Sequence, residues 1–456
     1  MLNGHVEIVR GFHSNALHAD DRTFRVYLPP DYDRSTESYP VVYMHDGQWC
    51  FGCESGKALT RQVDPLYMLD AVTDHLIING DICPVILVAV DCDEKNRRKE
   101  MSHSTPIKAR RMGRRGYIPC ESFEGEGLGF QYQTFITDEI KPYVDQHYRT
   151  LPDRAHTMIT GSSMGGLVSL RMGVYRSDVF GLMGLQSPAI HWETDEFYNQ
   201  MRYTDSKIWI DCGTAESYYV DNTRFLVKLL LGLHYVCGKD FVYYLQPGAM
   251  HVGSYFGLRF GQMLKWFFGK PAKPISASIE ARQNAAVAGH VTVLNTLVTY
   301  DNGVVLSDMD AVYSDTQNAL HIDRTGEVHP LHEGETEIIY EKDGVRAVKP
   351  MQLVNALSED VLVYVKAHVP EDTPRDDPIV FHFFRDQYVI LNREKENTYT
   401  GFIGVPRDWS FDSHFTRCAE NRDRKRECYG NGSEVERRVI AMEDQYLEYT
   451  IEKWKE

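Results

Sequence analysis

The segment 161–165 has the residue types and spacing of a nucleophilic serine turn. It reads Gly-Ser-Ser-Met-Gly and so matches the pattern G-x-S-x-G. In this arrangement a serine occupies a strained turn between a strand and a helix, and the flanking positions must lack side chains that would collide with neighbouring backbone. The pattern therefore selects Ser163, and not Ser162, as the candidate nucleophile.

A serine hydroxyl is a poor nucleophile at neutral pH, so it needs a base, and the base needs an orienting acid. An imidazole takes the proton and later returns it to the leaving group, while a carboxylate fixes the imidazole tautomer. Glu216 and His251 both lie in loops just beyond predicted strands, and the order Ser163, Glu216, His251 is typical of hydrolases with this serine turn. Asp211 is a rival acid, but it lies inside its predicted strand, where its side chain is less free to reach a loop histidine.

An oxyanion needs two fixed hydrogen-bond donors. The backbone amide of Met164, directly after the nucleophile, is the first candidate. The amide of Gln48 is the second, because the preceding residues 45–47 turn sharply and Gly47 permits close approach of the backbone to a substrate. A plain β-turn at this position is the alternative.

Alternating strands and helices are expected to position these residues. Apolar runs that end in turns predict strands, and apolar residues at helical spacing predict helices. The predicted strands are Thr23–Pro30, Tyr39–Gly47, Val85–Val90, Leu182–Leu185, Lys207–Ile210 and Phe241–Leu245, and the predicted helices are Leu66–Ile77 and 135–144. The alternation predicts an α/β fold with a mostly parallel sheet and helices on both faces. Ligands of such sheets bind at the carboxyl ends of the strands.

Length and charge exclude several classes of function. A chain of 456 residues with 43% hydrophobic residues is too long for a single domain. Its net charge of −16 argues against nucleic acid or an anionic membrane as a partner, because phosphate binding needs a basic surface. No apolar run reaches the length of a membrane span, and the first residues lack the pattern of a secretory signal.

The cysteines favour a reducing compartment. There are nine of them, an odd number scattered along a large chain, which is typical of free thiols, and we expect a cytoplasmic protein. Cys50 and Cys53 form a C-x-x-C, but no second pair or histidine pair at zinc spacing accompanies them. The motif therefore indicates two small loop residues, and we expect neither a metal nor a cofactor.

A basic loop interrupts the acidic chain between Lys95 and Arg115. It follows a predicted strand and should emerge at the same sheet edge as Ser163. Its basic residues are Arg97, Arg98, Lys99, Lys108, Arg110, Arg111, Arg114 and Arg115. One interpretation is a cap in which Arg110 and Arg111 bind an anionic or catecholate substrate. The other is a solvated loop with no part in binding.

The composition changes after residue 268. Prolines, glycine and lysine in 268–274 mark a linker, and short β-type segments with Asp-Asn-Gly, Arg-Thr-Gly and Lys-Asp-Gly turns follow it. We therefore expect three domains: an α/β domain at 1–270 and two small all-β sandwiches at 271–357 and 358–456.

Several segments of residues 1–270 resemble a known family. They are Tyr39–Gln48, Pro142–Thr150, Gly161–Gly166, Gln186–Ala189, Gly213–Glu216 and the His251 loop. They are similar to the α/β-hydrolase branch of enterochelin esterase-like and esterase D-like proteins, which also includes feruloyl and acetylxylan esterases and mycolyltransferases. The resemblance implies the serine mechanism, and it does not specify the substrate, because those relatives act on very different acyl and alcohol groups.

The β-type segments carry weaker resemblances. Residues 311–338 resemble bacterial immunoglobulin-like domains, which usually space or pack other domains. The last segment resembles a starch-binding-type carbohydrate module, but it lacks the Asn-Trp pair that stacks on sugar rings, and a lone tryptophan such as Trp409 or Trp454 is more often core. Glycan binding and an interaction or homo-oligomerisation role both stay open for this domain.

The combined pattern predicts a carboxylic ester hydrolase that forms an acyl-enzyme on Ser163, with His251 as general base and acid and Glu216 orienting it. The expected substrate is a small-molecule ester, such as a siderophore or carbohydrate-linked ester. An acyltransferase with the same acyl-enzyme is one alternative. A non-catalytic glycan-binding or protein-binding protein with a retired hydrolase domain is the other.

Overall fold

The computed structural model describes residues 4–52, 67–103, 109–111, 117–119, 125–383, 387–419, 421 and 423–455, and for 109–111 and 117–119 it describes only the backbone. Strands alternate with helices up to residue 270, and the described elements after it are strands. The strands of the first part are β1 (His5–Ser14), β2 (Ala19–Leu28), β3 (Val41–His45), β4 (Ile86–Val90), β5 (Ala109–Arg111), β6 (Tyr117–Pro119), β7 (Thr157–Ser162), β8 (Leu182–Gln186), β9 (Lys207–Gly213) and β10 (Phe241–Gln246).

The helices of the first part connect these strands. The α-helices are Gly47–Cys50, Leu69–Ile78, Arg97–Glu100, Gly129–Thr134, Lys141–His147, Met164–Tyr175, Asp195–Gln200, Tyr218–Gly232 and Gly253–Phe268. The 3-10 helices are Tyr32–Arg34, Arg154–His156 and Ile190–Trp192, and Phe135–Ile140 is a π-helix.

The later strands run from residue 274 to the end of the chain. They are β11 (Pro274–Glu280), β12 (Asn284–Gly289), β13 (Asn295–Tyr300), β14 (Val305–Ser307), β15 (Tyr313–Asp315), β16 (Leu320–Ile322), β17 (Val328–Pro330), β18 (Gly334–Lys342), β19 (Val345–Leu357), β20 (Asp360–His368), β21 (Val380–Phe383), β22 (Gln387–Ile390), β23 (Asn392–Lys395), β24 (Thr398–Pro406), β25 (Trp409–Thr416), β26 (Glu427–Cys428), β27 (Arg437–Ala441), β28 (Gln445–Thr450) and β29 (Lys453–Trp454).

The centre of the main sheet is parallel, in the order β4-β3-β7-β8-β9-β10. Strands β2 and β1 add antiparallel at one edge, and β14, β13 and β11 add antiparallel at the other. Both faces of the centre are covered, because neighbouring residues of β3 belong to different cores: Tyr43 lies in one, and Val42 and Met44 lie in the other. The predicted α/β fold is confirmed.

Pro142 explains a change of helix geometry that the apolar spacing at 135–144 does not show. The chain forms a π-helix over Phe135–Ile140 and an α-helix over Lys141–His147, with Pro142 in its first turn. Proline has no amide hydrogen to donate to the carbonyl of Asp138 four residues earlier, so the regular hydrogen-bond ladder cannot continue there.

Two β-rich units follow the α/β part, as expected. In the middle unit a sheet of order β12-β19-β18-β15 packs in one core with Ile279 and Val298, which belong to strands of the main sheet. In the last unit, sheets of order β23-β24-β20-β28 and β22-β21-β25-β27 enclose a core that includes Val363, Phe381 and Phe415. The boundaries at 270 and 357 and the immunoglobulin-like resemblance stay predictions, although main-sheet hydrogen bonds cross residue 270.

Polar side chains join the middle unit to the α/β part. The Asn295 amide donates to the carbonyl of Leu245 on β10 at 2.8 Å, and its oxygen accepts from the Ser307 hydroxyl at 2.6 Å. The amide of Leu245 donates to that same hydroxyl oxygen at 2.9 Å. Asn295 and Ser307 are both buried, so these groups satisfy backbone atoms that water cannot reach.

We therefore expect Asn295→Ala to lower the free energy of unfolding by about 1–3 kcal/mol, because it leaves a buried carbonyl and a buried hydroxyl without their partner. Urea unfolding followed by circular dichroism measures the change. Asn199→Ala is the control, since Asn199 is exposed on a surface helix and its loss should change stability by less than about 0.5 kcal/mol. Equal stability of the two variants would contradict this role of Asn295.

Candidate active site

Ser163 lies at a sharp turn between β7 and the helix Met164–Tyr175. Its backbone has φ 58° and ψ −116°, a region that residues with side chains rarely adopt. A Cβ on Gly161 would lie 2.7 Å from the carbonyl carbon of Gly165, so position 161 must be glycine for the turn to close. The local sterics are those that the G-x-S-x-G pattern requires.

Glu216 and His251 contact each other in the loops beyond β9 and β10. The Nδ1 atom of His251 lies 2.6 Å from Oε2 of Glu216. An ionised carboxylate can only accept, so the Nδ1–H of His251 donates, and this leaves the lone pair on Nε2 free to take a proton. The Glu216 carboxylate is buried, whereas the His251 side chain is partly exposed.

Arg259 holds the two acids at this strand end. Its Nε donates to Asp211 at 2.7 Å and its Nη2 donates to Oε1 of Glu216 at 3.0 Å, and all three side chains are fully buried. Asp211 also accepts from the indole nitrogen of Trp209 at 2.7 Å. Asp211 is therefore engaged within the core, while Glu216 faces the histidine.

The electrostatics keep Glu216 ionised. Burial alone would raise the pKa of its carboxyl, but the Arg259 charge and the hydrogen bond from His251 outweigh burial and lower that pKa to about 2. Glu216 is thus a carboxylate at neutral pH.

Tyr219 links Ser163 to His251. The hydroxyls of Ser163 and Tyr219 share a hydrogen bond of 3.3 Å, and the Tyr219 ring stacks on the His251 ring with centroids 4.2 Å apart. Among the described residues, which include both Ser163 and His251, these two side chains form no direct hydrogen bond, and the Ser163 hydroxyl bonds to Tyr219 instead. Ser163, Glu216 and His251 therefore lie together at one edge of the sheet, with the Ser163 hydroxyl directed toward Tyr219.

The predicted oxyanion donors follow the ends of adjacent strands. Met164 is the first residue of its helix and Gln48 the second of a short helix after β3, positions whose amides lack intrahelical acceptors. The two turns touch, because a Cβ on Gly165 would lie 3.4 Å from Cβ of His45. The side-chain amide of Gln48 already forms hydrogen bonds with Cys92, so the backbone N–H of Gln48 is the donor that remains for an oxyanion.

Arg97 secures the turn before Gln48. Its guanidinium donates to both carboxylate oxygens of Asp46, at 2.7 and 2.8 Å, and lies over the Trp49 ring. The side chains of Arg110 and Arg111, the predicted substrate contacts, lie outside the described residues, and so does Cys53. At least one member of the basic loop is thus structural.

Two residues of this site have no clear signal in the sequence, and a third has one that the sequence analysis did not use. Arg259 and Arg97 reach acids that are 43 to 51 residues away in the chain, a distance over which no local pattern reports. The aromatic pair Tyr218-Tyr219 directly after the predicted acid loop was a visible signal for Tyr219.

Two other features of the described residues are not part of this site. A cavity of about 1030 Å³ is lined by residues such as Pro40, Pro84 and Gly238, which precede the parallel strands and so lie at the opposite edge. Asp323, Glu327 and His329 have potential metal ligand atoms within 4.8 Å of one another. Glu327 already pairs with Lys228 at 2.6 Å, and Asp323 accepts from nearby amides of its own turn.

Comparison with known proteins identifies the family of this chain. The family model described as "Putative esterase" matches residues 14–267, more than half of the chain. The chain belongs to this esterase family. The esterase is accordingly a carboxylic ester hydrolase, and the match includes Ser163, Glu216 and His251 within its bounds.

Individual relatives of the esterase are distant. Protein YbbA of Bacillus subtilis (strain 168), described as uncharacterised, is 22% identical over 55% of this chain and 94% of its own length. Ferri-bacillibactin esterase BesA of the same organism is 22% identical over 46% of this chain and 73% of its own. A solved ferulic acid esterase from the anaerobic fungus Anaeromyces mucronatus is 20% identical, covers 58% of this chain and 91% of its own, and has a TM-score of 0.42. In the described part of the esterase, no helix has both the length and the apolar character needed to cross a membrane.

The ionised state of Glu216 is testable by pH. The pKa of Glu216 is about 2, below the ordinary value of 4.5. The ionised carboxylate therefore stabilises the folded state fully at pH values above 4.5, and this stabilisation is lost as the pH falls toward 2. Between about pH 5 and about pH 3 the wild type should lose about 2 kcal/mol of unfolding free energy that Glu216→Gln does not lose. Urea unfolding at several pH values measures this.

The control is Ser163→Ala, which removes no ionisable group and should follow the wild-type pH dependence. If Glu216→Gln lost as much stability with falling pH as the wild type, the assignment of an ionised, stabilising carboxylate would be wrong.

Proposed function

We propose that the esterase is a serine carboxylesterase that works through an acyl-enzyme on Ser163. His251 acts as general base and then general acid, and Glu216 orients it. The observation that carries the proposal is the 2.6 Å hydrogen bond between the imidazole and a buried carboxylate beside the Ser163 turn. A buried carboxylate that orients a partly exposed histidine at the end of a parallel strand is the pairing that activation of a serine nucleophile requires.

The reaction would proceed in two balanced steps. The Ser163 oxygen bonds to the acyl carbon while its proton passes to Nε2 of His251, and the departing alcohol takes that proton as its bond to the carbon breaks. Water then repeats the sequence, giving its proton to Nε2, and Ser163 recovers it as the acid leaves. The amides of Met164 and Gln48 donate to the oxyanion in both steps.

The resting hydroxyl of Ser163 must turn from Tyr219 to His251 for this reaction. Such catalytic hydrogen bonds often tighten only when substrate is bound. The hydrogen bond to Tyr219 is 3.3 Å long, so it is a weak one that a substrate can displace.

The substrate class is a small-molecule ester. Among the relatives, the names ferri-bacillibactin esterase and endo-1,4-beta-xylanase/feruloyl esterase favour siderophore and carbohydrate-linked esters as the first to test. Arg110 and Arg111 are proposed to favour anionic or catecholate acyl groups, which comparison of neutral and anionic esters with an Arg110→Ala, Arg111→Ala double variant tests. Product analysis with added alcohols separates hydrolysis from acyl transfer.

We expect Ser163→Ala to lower hydrolysis of p-nitrophenyl acetate by about a thousandfold or more, because the substitution removes the oxygen atom that is proposed to carry the acyl group. The matched control is Ser162→Ala. That neighbouring hydroxyl is buried and donates to Gln186 at 3.3 Å, so it is held away from substrate, and its loss should leave the rate within about threefold. Retained activity in Ser163→Ala would refute the proposed mechanism.

A second proposed function is glycan binding by the last β-unit, and a row of exposed aromatic side chains favours it. Phe402, Tyr364 and Tyr446 are direct cross-strand partners on β24, β20 and β28, and they are 62%, 43% and 59% exposed. The Tyr364 and Phe402 ring centroids are 6.2 Å apart. Flat rings in a row match the apolar faces of successive sugar rings. By contrast, Trp409 and Trp454 are buried.

Maltohexaose and xylohexaose are suitable probes for this row. We expect wild type to bind one of them and Tyr364→Ala to bind it about tenfold more weakly in isothermal titration, because the central ring of the row is lost. The control is Tyr388→Ala, an exposed tyrosine on the opposite sheet, which should bind as wild type does. Absence of wild-type binding, or equal binding by Tyr364→Ala, would contradict this function.

A further inference from the structure

The last β-unit contacts the α/β part at the loop that carries Glu216. The backbone carbonyl of Ala215 accepts from the Ser410 hydroxyl at 2.5 Å and from Nη2 of Arg438 at 3.1 Å. The hydroxyl of Ser217 donates to the backbone carbonyl of Ser410. Hydrogen bonds with Ser410 and Arg438 therefore lie on both sides of Glu216 in the chain: Ala215 accepts from both residues, and Ser217 donates to Ser410.

The backbone at Ser217 needs outside support. It has φ 53° and ψ −127°, a conformation that persists only where the surroundings enforce it. The helix Tyr218–Gly232 starts at the next residue, where the Tyr218 ring packs against Trp409, with ring centroids 5.9 Å apart. Contacts with β25 thus hold the chain both in the acid loop and at the helix start that carries Tyr219.

The strand that makes these contacts is itself anchored. Asp408, directly before β25, accepts from Arg282 at 2.7 Å and contacts His290 at 2.9 Å, and both partners belong to the middle unit. The middle unit continues the main sheet through β14, and its Thr325 carbonyl accepts from Arg224 at 2.9 Å on the helix Tyr218–Gly232. Ser410 is consequently positioned relative to the sheet from which the acid loop emerges.

We propose that Ser410 and Arg438 are positioning residues for Glu216, so that the last β-unit completes the active site instead of only accompanying it. This inference rests on the proposed serine mechanism. From the core side, Glu216 is held by Arg259 and by the Gly213 amide at 2.7 Å. On the side away from the core, the residues before and after Glu216, Ala215 and Ser217, are held by Ser410 and Arg438 of the last β-unit. A shift of the acid loop would lengthen the bond to His251, and misplacement by about 1 Å can cost about a hundredfold in rate.

The test is a double-mutant cycle in the full chain with p-nitrophenyl acetate. We expect Ser410→Ala with Arg438→Ala to lower kcat about tenfold, while KM changes less than about twofold, because the substitutions misplace the acid without touching substrate. In a Glu216→Gln background, where no carboxylate remains to be positioned, the same two substitutions should change the residual kcat less than about twofold.

Conservative and control variants separate positioning from general damage. Arg438→Lys retains a donor for the Ala215 carbonyl and should keep more of kcat than Arg438→Ala. Ser433→Ala and Arg375→Ala alter a half-buried and an exposed residue of the same β-unit, respectively, and should leave kcat unchanged. Ser410→Ala alone removes one oxygen atom and should still lower kcat about threefold, which keeps the test available if the double variant folds poorly.

The outcomes are distinct. An equal fall of kcat in the wild-type and Glu216→Gln backgrounds, a rise in KM in place of the fall in kcat, or no effect at all would overturn the inference. If Ser163→Ala abolishes activity while Ser410 and Arg438 prove irrelevant, the inference alone fails. If Ser163→Ala remains active, the serine mechanism on which it rests fails first.

Discussion

Two carboxylates that share one guanidinium, all without solvent access, are the constraint on which the site depends. Burying Asp211 and Glu216 side by side is costly unless a cation pairs with both, and Arg259 provides that cation from the helix after β10. The same pairing ties the strand end, the acid loop and the last helix of the α/β part together. It also leaves one oxygen of Glu216 directed at His251.

The parallel sheet explains why residues far apart in the chain meet here. Ser163, Glu216 and His251 each follow a strand of the parallel centre, and the carboxyl ends of parallel strands lie at one edge. The cavity at the opposite edge has volume but none of this chemistry. Cavity volume alone would therefore select the opposite edge of the sheet, whereas charge and hydrogen bonding favour the edge at the carboxyl ends of the strands.

The β-rich units form more contacts with the α/β part than the linker predicted at 268–274 would lead one to expect. Asn295 and Ser307 form hydrogen bonds with backbone groups of β10 that are shielded from water. Ser410 and Arg438 donate to the backbone carbonyl of Ala215, the residue before Glu216. Each of these contacts is polar and buried or half-buried, so each is lost at a cost if the units separate. An esterase in which accessory units touch the acid loop can change its activity through substitutions remote from the substrate.

The α/β class, the serine turn and the order of the strand-end residues could be predicted from the amino-acid sequence. They follow from local rules: apolar periodicity, and glycines where a Cβ would collide within the same turn. The sequence also restricted the acid to Glu216 or Asp211. The folded structure was needed to show that Glu216 faces the histidine, that Tyr219 contacts both Ser163 and His251, and that Arg97 holds the turn before Gln48. Those arrangements depend on contacts between residues tens to hundreds of positions apart, whose energies arise from burial and charge pairing in the folded chain and leave no trace in local spacing.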